Sequence, residues 1–267
     1  MMLHITNNPN PRDFQGSAND TNLDIFAAYS IQNPFLKEYQ KHLDDVMGWF
    51  TVGDLKMLDW VSQREINTEG GILELGVHLG KMFIPLNMTV NEGTSYAVDI
   101  FGKLQDYNVS HSGGDCLNQA MGFRNNVEKY DKRWSGFNVQ IINEDTMMLD
   151  PSHFEGNKFK IISIDAGHHR PHVLNDLYLA EKLVTRDGVV IVDDWFCNGW
   201  PGVTEGTIEY LSRGEGLVPF ASYQNKLYLC RYGAHYKWMY EMKHFKYKRL
   251  PTKLCGTEMY DICEHTH

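Results

Sequence analysis

An α/β fold, with an open and mostly parallel sheet covered by helices on both faces, is what this sequence predicts. The runs IISI (Ile161 to Ile164) and VVIV (Val189 to Val192) are rich in β-branched residues and show no apolar/polar alternation. That is the pattern of strands buried on both faces of a parallel sheet. A helix-length segment separates them, as a parallel crossover requires. Upstream, GGILELGVHLGKMFIPL (Gly70 to Leu86) reads as an apolar strand ending in Glu74, then Gly76, Gly80 and helix-like sequence.

Taken in order, residues 1 to about 20 are polar, with two prolines and no period, and read as a flexible arm or a lid. Asn33 to Phe50 and Thr51 to Ile66 look helical; Thr51 is a good N-cap, and Leu55, Leu58 and Val61 recur at helical spacing. These helices pack beside the sheet, a lid role being the alternative. After the Gly76 turn, SYAVDIF (Ser95 to Phe101) gives a second strand closed by Asp99. Gly114 to Trp134 reads as a helix after a loop containing His111, and Phe137 to Leu149 as a third strand ending in Glu144, Asp145 and Thr146. Pro201 to Gly214 is a helix entered through a Trp-Pro-Gly turn. Phe220 to Arg231 reads as two β segments about a Gln-Asn turn, bringing the expected count to seven strands. The tail from Tyr232 is aromatic and basic, and reads as one helix followed by coil. Three segments result: 1–69 as arm and helical lid, 70–231 as the ligand-binding domain, 232–267 as an extension.

With 267 residues the chain holds one large domain plus decorations, and 42% hydrophobic against 22% charged residues is ordinary for a folded protein. A net charge of -9 argues against nucleic acid as the main partner; the basic segment His235 to Leu250 is the one candidate for a local patch. No apolar run approaches the roughly 20 residues that span a bilayer, and the amino terminus has no secretory pattern. Five cysteines without a CxxC indicate neither a disulfide framework nor a zinc site. A reducing, cytoplasmic setting is expected.

Acids fall where strands leave the sheet: Asp165 after IISI, Asp193 and Asp194 after VVIV. In an open α/β sheet the ligand crevice lies outside those carboxyl ends, and hard divalent cations favour such oxygen donors. Two adjacent carboxylates repel unless something cationic neutralises them. Gly76 allows a sharp turn and Gly80 a close approach of the helix start to a ligand, and Asp99 stands where an acid would meet ribose hydroxyls. The spacing G-x-x-x-G departs from the dinucleotide fingerprint, which counts against a nicotinamide dehydrogenase. Each residue also has a plainer reading: a lone strand-end acid is more often a turn or cap residue, His168, His169 and His172 are more often structural or could ligate zinc, and Trp195 and Trp200 could wall a pocket or pack the core.

Glu74-Leu-Gly76-x-x-x-Gly80, Asp99, and Asp145 with Thr146 together resemble the binding motifs of class I S-adenosylmethionine-dependent methyltransferases, whose fold is a Rossmann-like seven-stranded sheet, mostly parallel with an antiparallel last strand. Within that superfamily, IDAGHH, VVIVDDW and WPGV are similar to the metal-dependent O-methyltransferases of the macrocin and aminocoumarin type and to the cephalosporin-hydroxylase-like group. The resemblance covers roughly Gly70 to Arg231. It implies S-adenosylmethionine held by Glu74, Gly76, Gly80, Asp99, Asp145, Thr146 and Asp165, and Mg2+ or another divalent cation held by Asp165, Asp193 and Asp194. His168 would be the base, with His169 and His172 as rivals; some relatives carry a second aspartate as base where this chain has Gly167. The implied reaction is methyl transfer to a hydroxyl of a small molecule. Alternatives are a metal-independent N- or carboxyl-methyltransferase and a non-catalytic nucleoside-binding module. An exposed arm exchanged between subunits is compatible with a homo-oligomer.

Overall fold

The structure, a computed structural model, describes residues 29–64, 70–102, 116–131, 139–214 and 216–262. The expected amino-terminal arm and the His111 loop lie outside the described residues. Helices α1 (Pro34–Tyr39), α2 (Val52–Gln63), α3 (Phe83–Met88), α4 (Cys116–Tyr130), α5 (Arg170–Leu183), α6 (Pro201–Ser212) and α7 (His235–Lys243) surround one sheet. Its strands are β1 (Gly71–Leu75), β2 (Ser95–Val98), β3 (Val139–Ile142), β4 (Phe159–Ile164), β5 (Val184–Val192), β6 (Leu217–Tyr223), β7 (Lys226–Arg231), β8 (Leu250–Leu254) and β9 (Thr257–Ile262).

The strand order is β3-β2-β1-β4-β5-β7-β6-β9-β8. The first five are parallel, and β7 is antiparallel to both β5 and β6. The expected antiparallel last strand is therefore β7. Between β1 and β4 the order of connection reverses, and a crevice opens at such a switch point, outside the carboxyl ends of the strands.

Burial on both faces follows from the unalternated strand sequences. Ile161, Val189 and Ile191 pack into one core with Leu36, Leu55, Leu58, Phe83 and Trp238. Ile162, Ile164, Val190 and Val192 pack into a second core with Leu177, Leu183 and Tyr210. Helices α1 to α4 and α7 contribute to the first core, α5 and α6 to the second. No described helix is long and apolar enough to cross a membrane.

Three expectations need correction. The sheet among the described residues has nine strands rather than seven, because the tail is not coil after α7: residues 250–262 form the β8–β9 hairpin, and β9 pairs parallel with β6. Its turn residues Cys255 (φ 48) and Gly256 (φ 81) both take left-handed backbone, as a two-residue hairpin turn of the right twist demands. The helix expected over Asn33 to Phe50 is the short α1, tightened into a 3-10 turn over Gln40–Asp45. The third strand stops at Ile142, since Asp145 caps a 3-10 turn over Thr146–Met148 by accepting from the Met147 amide at 2.9 Å.

Candidate functional site

The parallel ladder does not stop at the last strand residues. The Gly76 amide donates to Val98 O at 2.8 Å, Asp99 to Ile142 O at 3.1 Å, Asp165 to Leu75 O at 2.8 Å and Asp193 to Ile164 O at 3.0 Å. These bonds lay the exits of β1, β2, β4 and β5 side by side, so acids far apart in sequence share one edge of the sheet.

On the β1–β2 side, Gly76 has φ +88, and a Cβ there would meet Asp165 O at 1.9 Å. Glycine is required because the exit of β1 passes directly against the exit of β4. Gly80 has φ +89, and a Cβ there would press on the Phe123 ring at 3.1 Å, so the structure gives this glycine a packing role beside α4. Asp99 accepts from the His78 amide (2.8 Å) and the Phe101 amide (2.6 Å), one on each oxygen. Burial raises its pKa, with those amides opposing. Each oxygen retains a lone pair for a further donor. Glu74 is 2% exposed, and its Oε2 is buried without a hydrogen-bond partner. Burial pushes its carboxyl well above the usual range, and the charges of Asp165 and Asp193 add to the push. An orphaned buried oxygen of this kind fits a ligand that brings its own donor. The residues present therefore suit a nucleoside with a cationic arm. Asp145 and Thr146 lie in the turn beyond β3, tied to α5 by Asn175 Nδ2 donating to Thr146 O at 2.9 Å.

On the β4–β5 side, Asp165, His168 and Asp194 each offer one donor atom within 4.8 Å of the others, and among the described residues this is the group able to hold a metal ion. His168 Nε2 lies 3.1 Å from Asp194 Oδ2 and 3.7 Å from Asp165 Oδ1. Burial alone would lower the imidazole pKa, but hydrogen bonds and charge from both carboxylates outweigh it and raise it to about 9. Asp194 is held below the usual carboxylate range: its burial is outweighed by the hydrogen bond and charge of His168. Trp200 stacks flat on the His168 ring, with centroids 4.3 Å apart at 17°, a geometry that also favours a cationic imidazole. The two carboxylates suit a hard divalent ion, with the imidazole beside them.

Asp194 takes φ 56 in the turn after β5, and its Oδ1 accepts from Asn225 Nδ2 at 3.1 Å. Asp193, expected as a third metal ligand, stands outside the group: its Oδ2 receives Lys226 Nζ at 2.6 Å and its Oδ1 the Asp194 amide at 2.8 Å. Burial pushes Asp193 up to about 7 against the pull of Lys226. Lys226 is raised in turn, burial being outweighed by the charges of Asp193 and Asp54. Sequence reasoning passed over Lys226. Its signal, a lysine heading an otherwise apolar strand, gains meaning only from the register that sets Val192 opposite Leu227.

His169 and His172 are not in the metal-competent group; their rings face each other at 6.1 Å. Trp195 is buried in the second core, so packing describes it. A hollow of about 700 Å³ lined by Arg170, Phe196, Thr204 and Ile208 runs along α6, and none of Asp165, His168 and Asp194 lines it.

Residues 73–195 match a family described as a methyltransferase domain. The stretch carries most of the residues on which the class I resemblance was read. No curated protein matches the chain. Among solved structures, the O-methyltransferase NovP has a TM-score of 0.56 at 17% identity, covering 74% of this chain and 96% of its own. The MycE methyltransferase from the mycinamycin biosynthetic pathway, solved with Mg, SAH and mycinamycin VI, has a TM-score of 0.51 at 16% identity, covering 76% of this chain and 56% of its own. This chain thus spans little more than half of MycE, and at such identities the likeness is one of fold.

Proposed function

We propose that this chain, which carries a methyltransferase-domain match over residues 73–195 on a fold shared with NovP and MycE, transfers a methyl group from S-adenosylmethionine to a hydroxyl oxygen of a small molecule, assisted by a divalent metal. The observation that carries the proposal is the common edge described above, where the Gly76–Asp99 side and the Asp165–His168–Asp194 group abut through the Asp165 amide bond to Leu75 O.

When bound, S-adenosylmethionine supplies a methyl on a sulfonium, and a divalent ion supplies charge that lowers the pKa of an acceptor hydroxyl. The chain has the remaining tasks. Asp99 accepts from ribose hydroxyls with the lone pairs its amides leave free, and Glu74 Oε2 takes a donor from the cationic arm. Asp165 and Asp194 hold the ion. His168, whose Nε2 lies beside both carboxylates, would take the proton of the acceptor hydroxyl. Trp200 fixes its ring. Transfer from a sulfonium quenches charge, so alignment of oxygen, methyl and sulfur matters more than stabilising a new anion.

Methyl transfer to a panel of catechols and hydroxylated sugars, with and without chelator, tests the proposal. Asp194→Asn should bind S-adenosylhomocysteine as the unaltered chain does yet lose about 100-fold or more in turnover, the scale of losing a metal's contribution. Undiminished turnover in chelator would overturn the metal's role.

A further inference from the structure

Between α1 and α2 the chain is pinned at two places on the carboxyl-end face of the sheet. At the first, Gly48, with φ +142, lies against the stem of Lys81, and a Cβ there would meet Lys81 Cβ at 3.1 Å. The Tyr39 hydroxyl, from α1, donates to Lys81 O at 3.0 Å. Lys81 directly follows Gly80 in the segment that leaves β1. At the second, Thr51 Oγ1 lies 3.3 Å from Gln224 Oε1, and Gly53 is packed so closely on Tyr223 that a Cβ would meet its hydroxyl at 2.1 Å. Gln224 stands in the turn into β7, and the next residue, Asn225, holds Asp194 Oδ1 at 3.1 Å.

Strands β4 and β5 stand between β1 and β7 in the sheet, so the strip from Val46 to Thr51 passes beside the exits that carry Asp165 and Asp194. From Gly48 to Thr51 the backbone reaches at most about 11 Å, against roughly 14 Å across three strand spacings. The strip has no slack to loop away. Val46 and Phe50 are buried in the first core, yet Met47 and Trp49 between them are 69% and 65% exposed. Two large apolar side chains are thus kept in water beside the metal-competent group, an arrangement that fits an apolar ligand.

We propose that Met47 and Trp49 form the platform on which the acceptor lies, and that its reacting hydroxyl is carried on a flat aromatic ring rather than on a bare sugar. Tryptophan offers a large rigid face that favours offset stacking. The methionine thioether adapts to the outline of a ring, and its sulfur favours aromatic contacts. A bare sugar would instead press hydroxyls against Met47, where they lose water and gain no partner. The inference rests on the methyl-transfer reading above and names its acceptor class.

Isothermal titration of the full chain, saturated with S-adenosylhomocysteine and Mg2+ so that no turnover occurs, tests it with two adjacent-hydroxyl probes, a vicinal naphthalenediol and methyl glucoside. The unaltered chain should bind the naphthalenediol at least about tenfold more tightly than the glucoside. Trp49→Ala should lose about tenfold of that affinity, whereas Trp49→Phe, which keeps a ring, should stay within about threefold. All three chains should bind S-adenosylhomocysteine alike, which reports that the variants are folded. Equal affinity of Trp49→Ala and the unaltered chain for the naphthalenediol, or a preference for the glucoside, would overturn the inference and leave methyl transfer standing. So would absence of naphthalenediol binding by a chain that binds S-adenosylhomocysteine. If the unaltered chain binds no S-adenosylhomocysteine, the methyl-transfer reading itself falls, and this inference with it.

Discussion

His168 sits between two carboxylates, and the energetics of that arrangement are measurable without substrate. Its ordinary pKa of 6.5 rises to about 9 in the folded chain. Between those values the folded protein keeps a proton that the unfolded chain has released. The stabilisation is therefore full below pH 6.5 and is lost as pH rises through about 9, amounting to about 3 kcal/mol. Urea unfolding in chelator should show stability falling over that window, and His168→Gln should flatten the fall; an unchanged slope would contradict the assigned contacts. The acids at 165 and 194 and His168 were legible in the sequence because each follows an apolar run closely, and a strand end is a local signal. Lys226 was not legible, because its partner lies across a strand pairing that no local pattern specifies. The contact of Asp193 with Lys226 was illegible for the same reason: the sequence shows that adjacent acids need a cation but not that the protein supplies one.

Among elements, those defined by local chemistry were the easiest to read. Helix α2 starts where Thr51 and Asp54 form a reciprocal cap, the Asp54 amide donating to Thr51 Oγ1 at 3.1 Å and the Thr51 amide to Asp54 Oδ2 at 2.8 Å. Thr51→Ala removes one of those bonds and should lower stability by about 1 kcal/mol, measured by chemical denaturation; no change would mean that packing of Leu55 and Leu58 alone sets the helix start. The strands β1, β4 and β5 were legible from unalternated apolar runs. The β8–β9 hairpin was not, because Leu250–Leu254 is largely exposed and carries no apolar stripe, and β9 buries little beyond Met259 and Ile262. Such strands are defined by the edge they cover, here that of β6, and edge pairing is a property of the assembled sheet.

For the molecule as a whole, the parallel order β3-β2-β1-β4-β5 makes the site, because it converts acids scattered along the chain into one row. The parallel class of the sheet followed from alternating strand and helix signals; the order of its strands did not. Which side chains in the row face one another did not follow from those signals either. The most direct test is a crystal grown with S-adenosylhomocysteine and Mn2+, recorded at a wavelength where manganese scatters anomalously. The account predicts a nucleoside at the Gly76–Asp99 edge and one anomalous peak at Asp165 and Asp194. A manganese peak remote from those carboxylates, or a nucleoside bound away from the β1–β2 edge, would contradict it.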